Sequence, residues 1–147
     1  MSITWTETTD GVDREELAAL YRAAPLGDKP PGELELVFTN SRYVCFLHDG
    51  GRLVGAGRAL ADGRDCSYIC DVALLPDYQG RGLGAEIVGR LVERSEGHKK
   101  IILYSVPGTE PFYERFGFRR MTTAMAIFDD SALAAQRGYL EPDPDAG

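Results

Sequence analysis

The stretch Val72-Ala-Leu-Leu-Pro-Asp-Tyr-Gln-Gly-Arg-Gly-Leu-Gly-Ala-Glu-Ile-Val88 decides how the rest of this chain folds. An apolar strand that ends near Leu75 is followed by Pro76 and then by a loop that contains three glycines. After the loop, apolar residues recur at helical spacing on one face, and charged residues occupy the other face. The apolar face consists of Leu83, Ile87, Val88, Leu91 and Val92. The stretch therefore predicts a strand, a glycine loop and an amphipathic helix in succession.

The loop Gln79-Gly-Arg-Gly-Leu-Gly84 has the properties of an anion-binding site. Glycines let the backbone turn sharply and approach a ligand closely, and the first N–H groups of a helix have no acceptor within the helix. Those donors and the positive end of the helix dipole favour a phosphate, and Arg81 adds a cation. Two familiar phosphate loops are excluded by the spacing. The Gly-Lys-Ser/Thr of a P-loop is absent, and Ile87 occupies the third glycine position of the dinucleotide fingerprint.

Two motifs resemble those of the GNAT superfamily of acyl-CoA-dependent N-acetyltransferases. The loop Gln79–Gly84 is similar to the Gln/Arg-x-x-Gly-x-Gly/Ala pyrophosphate loop, and Phe112-Tyr-Glu-Arg-Phe-Gly-Phe118 resembles the Phe-Tyr-x-x-x-Gly-Phe signature. In addition, Asp71-Val-Ala-Leu-Leu-Pro76 resembles the Asp-Val-x-x-x-Pro of the plant and cyanobacterial serotonin (arylalkylamine) N-acetyltransferase-like branch. The order of the predicted elements agrees with the GNAT fold from about residue 2 to residue 128.

Length, charge and cysteine content narrow the class of protein. A chain of 147 residues fits one domain, and its net charge of −7 disfavours nucleic acid as a partner. We expect no membrane span, because no apolar run is long enough. The three cysteines, Cys45, Cys66 and Cys70, show no metal-ligand pattern. We therefore expect no metal, and reduced thiols in a cytoplasmic protein.

The remaining patterns predict an α+β, or mixed α/β, domain. Strands are predicted over residues 2–7, 42–48, 52–60, 65–75, 99–105 and 118–128. Besides the central helix, we expect a helix capped by Asp13 with Glu16 completing a capping box, a helix over 33–39 and a short helix capped by Thr109. Asp49-Gly-Gly51 predicts a hairpin turn. The GNAT resemblance implies a central, mostly antiparallel sheet of six or seven strands with helices on both faces.

We expect residues 1–128 to form a GNAT N-acetyltransferase domain and residues 129–147 to form an acidic C-terminal tail. In the tail, a short helix around 131–137 precedes a Pro-Asp-Pro-Asp end that we expect to be disordered. The rigid loop Pro25–Gly32 lies over the amine acceptor if the resemblance holds. From the residues alone, a plain connector between helices fits this loop equally well.

The resemblance implies transfer of an acetyl group from acetyl-CoA to a primary amine, by direct attack in a ternary complex. Backbone N–H groups from Gln79 to Ala85 would hold the pyrophosphate, and backbone groups of Val72 and Leu74 would pair with the pantetheine arm. The N–H of Val72 or of a neighbour would face the thioester oxygen. The implied cofactor-binding residues are Val72, Ala73, Leu74, Gln79, Gly80, Arg81, Gly82, Leu83, Gly84 and Ala85.

Tyr113 is the candidate acid. It matches the family tyrosine that protonates the departing thiolate, and an ordinary tyrosine pKa of about 10 keeps the hydroxyl protonated at neutral pH. A tyrosine that only packs against Phe112 or Phe116 is the alternative. One departure from the family pattern is Val106, seven residues earlier, where many members carry Asn or Asp.

Asp71 is the candidate base for the ammonium, because a carboxylate in a strand otherwise rich in apolar residues requires a partner. A purely structural aspartate fits the sequence equally well. Strand alternation places Tyr68 and Cys70 on the face opposite Asp71. Cys70 is either a packing residue or, less in keeping with its apolar strand, an acyl-enzyme nucleophile.

Three functions stay open on the sequence. The first is acetylation of a small-molecule amine of the arylalkylamine or polyamine type, and the second is acetylation of a protein lysine or N-terminus. The third is a non-catalytic acyl-CoA-binding module, which the presence of Tyr113 disfavours. A homodimer is also left open.

Overall fold

Residues 1–145 are described by a computed structural model of the chain. They form two compact units, Met1–Leu103 and a second unit that begins at Tyr104. Ala146 and Gly147, the end of the tail predicted to be disordered, lie outside the described residues. Among residues 1–145, no helix has the length and apolarity needed to cross a membrane.

The first unit contains one five-stranded sheet and three α-helices. Its strands are β1 (Ile3–Thr6), β2 (Tyr43–Asp49), β3 (Arg52–Ala61), β4 (Cys66–Leu74) and β5 (Lys100–Ile102). Its helices are α1 (Arg14–Ala23), α2 (Pro31–Thr39) and α3 (Leu83–Arg94), with a 3₁₀ turn over Pro76–Tyr78. The strand order is β1-β2-β3-β4-β5. Pairing is antiparallel throughout except between β4 and β5, which are parallel.

The hairpin between β2 and β3 confirms the turn predicted at Asp49-Gly-Gly51. Asp49 pairs with Arg52, so the loop consists of two residues. These residues, Gly50 and Gly51, have φ angles of 55° and 87°. A two-residue turn whose backbone twist matches that of the strands requires positive φ at both positions, and glycine meets this requirement without strain.

Helices cover both faces of the sheet, as predicted. Across β2 and β3, Cys45 pairs with Gly57 and Phe46 pairs with Ala56, so Cys45 and Phe46 lie on opposite faces. On the Phe46 face, the ring of Phe38 in α2 lies 5.3 Å from the ring of Phe46. On the other face, α3 approaches so closely that a Cβ on Gly57 would lie 2.9 Å from a Leu91 methyl carbon. The buried core therefore has two layers, one on each side of the sheet.

The capping box predicted for α1 is wrong in one of its two halves. Asp13 caps the helix, because its carboxylate accepts the N–H of Glu15 at 2.8 Å. However, Glu16 accepts the backbone N–H of Leu53 at 3.0 Å. The Glu16 carboxylate, which the capping-box motif would place against the helix start, thus binds a backbone N–H of β3 instead. This hydrogen bond connects α1 to the sheet.

The second unit contains two short helices, α4 (Glu110–Glu114) and α5 (Ser131–Gln136). The Asp130 carboxylate caps α5 by accepting the N–H of Leu133 at 3.0 Å. The side-chain cap predicted at Thr109 is wrong, because this hydroxyl donates to the carbonyl of Val106 at 2.6 Å. The helix predicted around residues 131–137 is confirmed.

The number of strands differs from the prediction. Within residues 1–145, the segment 118–128 forms no strand, and β5 is half-buried and three residues long rather than a buried strand over 99–105. The segment ends in the continuous apolar run Ala124-Met-Ala-Ile-Phe128, but Met125 and Ile127 are 96% and 102% exposed. An apolar run is compatible with a strand, but a strand also requires a hydrogen-bonding partner. The α+β class is confirmed, with five strands in place of six or seven.

Candidate functional site

The glycine loop, residues Gln79–Ala85, follows the 3₁₀ turn, and its last three residues form the first turn of α3. Gly80 and Gly82 have φ angles of 81° and 80°, and Gly82 is the N-cap of α3 in the left-handed region. Residues with a side chain rarely adopt this conformation. The two glycines are therefore required by the path of the backbone into the helix.

Free backbone donors lie at the start of α3. Its first internal hydrogen bond runs from the N–H of Glu86 to the carbonyl of Gly82 at 3.1 Å. The N–H groups of Leu83, Gly84 and Ala85 therefore have no acceptor within the helix, and they lie at the positive end of its dipole. Donors in this arrangement suit an anion, and the phosphate site at this loop stays a prediction.

Gln79 differs from the other loop residues, because its donors are already used. Its backbone N–H donates to the carbonyl of Pro76 at 3.1 Å. Its side-chain amide donates to the carbonyl of Leu74 at 3.1 Å. Gln79 therefore holds the loop against the end of β4 rather than presenting a free N–H. Arg81 keeps a cation at the loop, with its guanidinium 5.5 Å from the ring centre of Tyr78.

The second half of β4 has an open edge. Among the described residues, β5 pairs only with Cys66–Tyr68, so β4 continues from Ile69 to Leu74 without a strand on that side. Leu75 donates its N–H to Val54 at 2.9 Å and so faces β3. By alternation, the N–H group of Leu74 faces the open edge. An extended ligand with amide groups can pair with such an edge as an added strand does.

A β-bulge lies next to this edge. The pairing of β3 with β4 shifts register between Ala56 and Arg58, and Asp71 has a φ of 54°. Arg58 lies opposite Cys70, and its Nε donates to Asp71 Oδ2 at 2.7 Å. The predicted placement of Cys70 and Asp71 on opposite faces is therefore wrong. The extra residue in the bulge interrupts the alternation from which that prediction was made.

Asp71 lies in a cluster of polar side chains, Tyr21, Lys29, Ser41, Arg58 and Asp71, which we call the charged cluster. Arg58 binds Asp71 through Nε, and its Nη1 donates to Ser41 Oγ at 3.3 Å. Lys29 Nζ lies 3.8 Å from Asp71 Oδ1. The buried Tyr21 hydroxyl donates to the backbone carbonyl of Asp71. The side chains of Arg58, Asp71 and Lys29 are 13%, 21% and 34% exposed.

Burial and charge set the protonation states in the cluster. Burial opposes the charge of the Arg58 guanidinium, but the neighbouring Cys70, Asp71 and Tyr21 outweigh burial and raise its pKa. Burial also raises the pKa of Tyr21 well above its ordinary value, and Asp71 adds to this effect. The pKa of Cys70 is raised to about 11, chiefly by burial, although Arg58 and Lys29 act in the opposite direction. Its thiol is therefore protonated at neutral pH, which disfavours an acyl-enzyme.

Sequence reasoning identified Asp71 but missed its partners. A signal was present, because Arg58 is a charged residue inside the apolar run Leu53-Val-Gly-Ala-Gly-Arg-Ala-Leu60, just as Asp71 is in the next strand. Opposite charges in adjacent antiparallel strands suggest a pair. Nothing in the sequence around Tyr21 and Lys29 indicates that they contact Asp71. Within residues 1–145, no group of three or more His, Cys, Asp or Glu side chains is placed to hold a metal ion.

Tyr113 belongs to the second unit. Its ring packs at 5.0 Å from Phe112 and at 6.3 Å from Phe118, both nearly edge-on. Burial raises the pKa of Tyr113 above its ordinary value, so the hydroxyl is protonated at neutral pH. Val106 uses its carbonyl to accept two hydrogen bonds from Thr109, and its side chain is 44% exposed.

Two curated relatives align with about half of this chain. It is 40% identical over 85 residues to the glucosamine 6-phosphate N-acetyltransferase of Trypanosoma brucei brucei, covering 52% of this chain and 58% of that protein. It is also 40% identical over 82 residues to the chloroplastic serotonin N-acetyltransferase 2 of Oryza sativa subsp. japonica, covering 51% and 41%. The chain thus spans about half the length of these relatives.

A solved structure and a match to a protein family agree with the family that the two motifs resemble. A crystal structure of a Staphylococcus aureus protein, titled a probable acetyltransferase, matches with a TM-score of 0.76 at 26% identity and covers 86% of this chain and 98% of that one. The Acetyltransferase (GNAT) family matches residues 10–118, which include the charged cluster, the glycine loop and Tyr113. On this match over most of its length, the chain belongs to the GNAT acetyltransferase family.

Proposed function

We propose that this protein is an N-acetyltransferase that moves an acetyl group from acetyl-CoA to the primary amine of a small molecule. The observation that carries the proposal is that the chain has both free N–H groups at the start of α3 and an open edge on β4. The first suits a diphosphate and the second suits an extended chain with amide groups. Both relatives above are named for small-molecule acceptors.

Acetyl-CoA supplies an acetyl thioester whose carbonyl carbon is attacked by the amine. In this proposal, the backbone N–H groups from Gly80 to Ala85 bind the diphosphate, with Arg81 adding a positive charge. The open edge of Val72, Ala73 and Leu74 aligns the pantetheine arm. The N–H of Val72 donates to the thioester oxygen, and because this donor is fixed by the bulge it needs no rearrangement during the reaction.

Two side chains are proposed to transfer protons. Asp71 Oδ2 is held by Arg58 at 2.7 Å, whereas Oδ1 lies 3.8 Å from Lys29, beyond hydrogen-bond distance. Oδ1 is therefore the atom proposed to attract the ammonium and take its proton. Tyr113 is proposed to donate its proton to the departing thiolate. In support, its hydroxyl is protonated and has no hydrogen-bond partner among residues 1–145.

Thiol release from acetyl-CoA, measured over a panel of small amines and peptides, tests this function. Release that depends on a small amine supports the proposal. Release only with peptides points to a protein acetyltransferase. Tight CoA binding without turnover of any acceptor points to a non-catalytic module.

Replacing Tyr113 by Phe tests the acid directly. We expect Tyr113→Phe to lower kcat by about 100-fold, the usual size of a general-acid contribution, with an unchanged dissociation constant for acetyl-CoA. Because the pKa of Tyr113 is raised, wild-type turnover should fall through loss of this proton only as the pH rises above the ordinary tyrosine value of about 10. Tyr139→Phe is the control, since Tyr139 is a ring-packed tyrosine of the same unit. Near-normal kcat in Tyr113→Phe would remove Tyr113 from this role.

A further inference from the structure

The charged cluster contains more positive than negative charge. Lys29 comes from the loop between α1 and α2, Arg58 from β3 and Asp71 from β4. The raised pKa values of Tyr21 and Cys70 keep both groups neutral at physiological pH. Two cations therefore face one carboxylate, and the cluster has a surplus of one positive charge.

Nearby carboxylates on the same elements are engaged elsewhere. Asp28, next to Lys29, lies 3.8 Å from Arg22, and Glu35 of α2 lies 3.7 Å from Arg14. Glu16 of α1 accepts the N–H of Leu53. The charges that act on the Cys70 thiol are those of Arg58, Asp71 and Lys29. None of these three carboxylates therefore neutralises the cluster.

Two donors of the cluster remain open to a ligand. Arg58 uses Nε for Asp71 and Nη1 for Ser41, and its Nη2 has no acceptor among residues 1–145. Nη2 is not a buried unsatisfied atom, so it can be reached from solvent. Lys29 Nζ lies 3.8 Å from Asp71 Oδ1 and 6.0 Å from the ring centre of Tyr21, and it has no hydrogen-bond acceptor among residues 1–145. Guanidinium and ammonium groups with free donors bind carboxylates and phosphates.

Partial burial strengthens the interaction of this surplus charge with a ligand. With Arg58 only 13% exposed, its charge is less well solvated than that of a surface cation. An anion brought into the cluster is attracted more strongly than at the surface, because the effective dielectric constant is lower. A further cation is repelled for the same reason.

We propose that the charged cluster binds an acidic group of the acceptor, so that the substrate is a primary amine that also carries a carboxylate or a phosphate. The acidic group contacts Lys29 Nζ and Arg58 Nη2, and the ammonium contacts Asp71 Oδ1. This inference rests on the proposed acetyltransferase function and names its substrate class. A polyamine adds positive charge to a cluster that already has a surplus, and a simple arylalkylamine leaves the surplus without a partner.

Matched pairs of acceptors test the proposal. Thiol release is measured with glucosamine 6-phosphate against glucosamine, with phenylalanine against phenylethylamine, and with spermidine. We expect the acidic member of at least one pair to have a kcat/KM about tenfold higher or more, as one added charge-assisted contact gives. Equal values within both pairs, or spermidine as the best acceptor, would overturn the proposal.

Lys29→Gln then locates the effect. It should raise KM for the acidic acceptor by about tenfold and leave KM for acetyl-CoA and for the neutral acceptor unchanged. Lys99→Gln is the control, because Lys99 is an exposed lysine outside the cluster. An equal change for acidic and neutral acceptors would show that Lys29 acts through the fold and would contradict the proposal.

A binding measurement separates this inference from the proposed function. If no amine is acetylated, the acetyltransferase proposal fails, but glucosamine 6-phosphate can still be titrated calorimetrically into protein saturated with CoA. Saturation blocks the glycine loop, so that heat reports another site. Binding that Lys29→Gln weakens by about tenfold supports the charged cluster as an acid-binding site. No binding to the wild type, or binding that is unchanged in Lys29→Gln, overturns it.

Discussion

The glycine loop and the charged cluster both adjoin β4, but they are built in different ways. The loop is a run of consecutive residues, Gln79–Ala85, whose backbone N–H groups face outward because of local φ angles. The cluster joins five side chains from α1, two loops, β3 and β4, and Tyr21 and Asp71 are 50 residues apart. A site made of backbone can be recognised in a short sequence motif, whereas a site made of distant side chains depends on how the elements pack.

Because of this difference, we expect changes in the loop and changes in the cluster to affect different properties of the protein. Changes in the loop should alter the binding of CoA more than the stability of the fold, because residues 79–82 are exposed. Changes in the cluster should alter stability, because half-buried charges and a buried hydroxyl lose their partners. Three substitutions measure how far this separation holds.

The largest effect is expected from Gly82→Val. Valine is strained at a φ of 80°, so the backbone at the start of α3 must change and its N–H groups lose their alignment. We expect the dissociation constant for CoA to rise by about 100-fold, or about 2.7 kcal/mol, measured by calorimetry. Gly11→Val is the control, because Gly11 has a similar φ of 77° outside the loop. If both variants bind CoA like the wild type, the loop is not the diphosphate site.

A somewhat smaller effect, on stability, is expected from Arg58→Met. Asp71 then keeps a carboxylate that is 21% exposed without its partner at 2.7 Å. We expect the free energy of unfolding in urea to fall by about 2 kcal/mol, less than for a fully buried pair, with unchanged CoA binding. Adding Asp71→Asn should restore part of the loss. Lys100→Met is the control, since Lys100 pairs with Asp65 at the same 2.7 Å but is 53% exposed. Equal losses in the two variants would show that burial is not what matters.

The smallest effect is expected from Tyr21→Phe. This change removes a buried hydroxyl and leaves the backbone carbonyl of Asp71 without its donor. We expect the free energy of unfolding to fall by about 1 kcal/mol. Tyr78→Phe, which removes a hydroxyl bound to Asp49 near the surface, should have less effect. A loss in Tyr78→Phe as large as that in Tyr21→Phe would show that burial of the hydroxyl does not set the size of the loss.

Features that depend on neighbouring residues were predictable. The turn at Asp49-Gly-Gly51, the glycine loop and the apolar face of α3 follow from φ preferences and from the helical period of hydrophobic residues. The predictions that were wrong concern residues whose hydrogen-bonding partners are distant in the sequence or absent from the described residues. Glu16 bonds to Leu53 instead of its own helix start, and residues 118–128 have a strand pattern without a strand partner among the described residues.

By itself, the sequence determined where the glycine loop meets a helix start, because glycines with positive φ and the free N–H groups of a helix start are local properties of the chain. It also determined that an aspartate interrupts β4. Only the tertiary structure decided what surrounds that aspartate. The bulge opposite Gly57 turns Asp71 toward Arg58 and Lys29, and the packing of α1 places Tyr21 against the Asp71 carbonyl. The physical reason is that strand register and helix packing are set by the whole core, and no short motif records them.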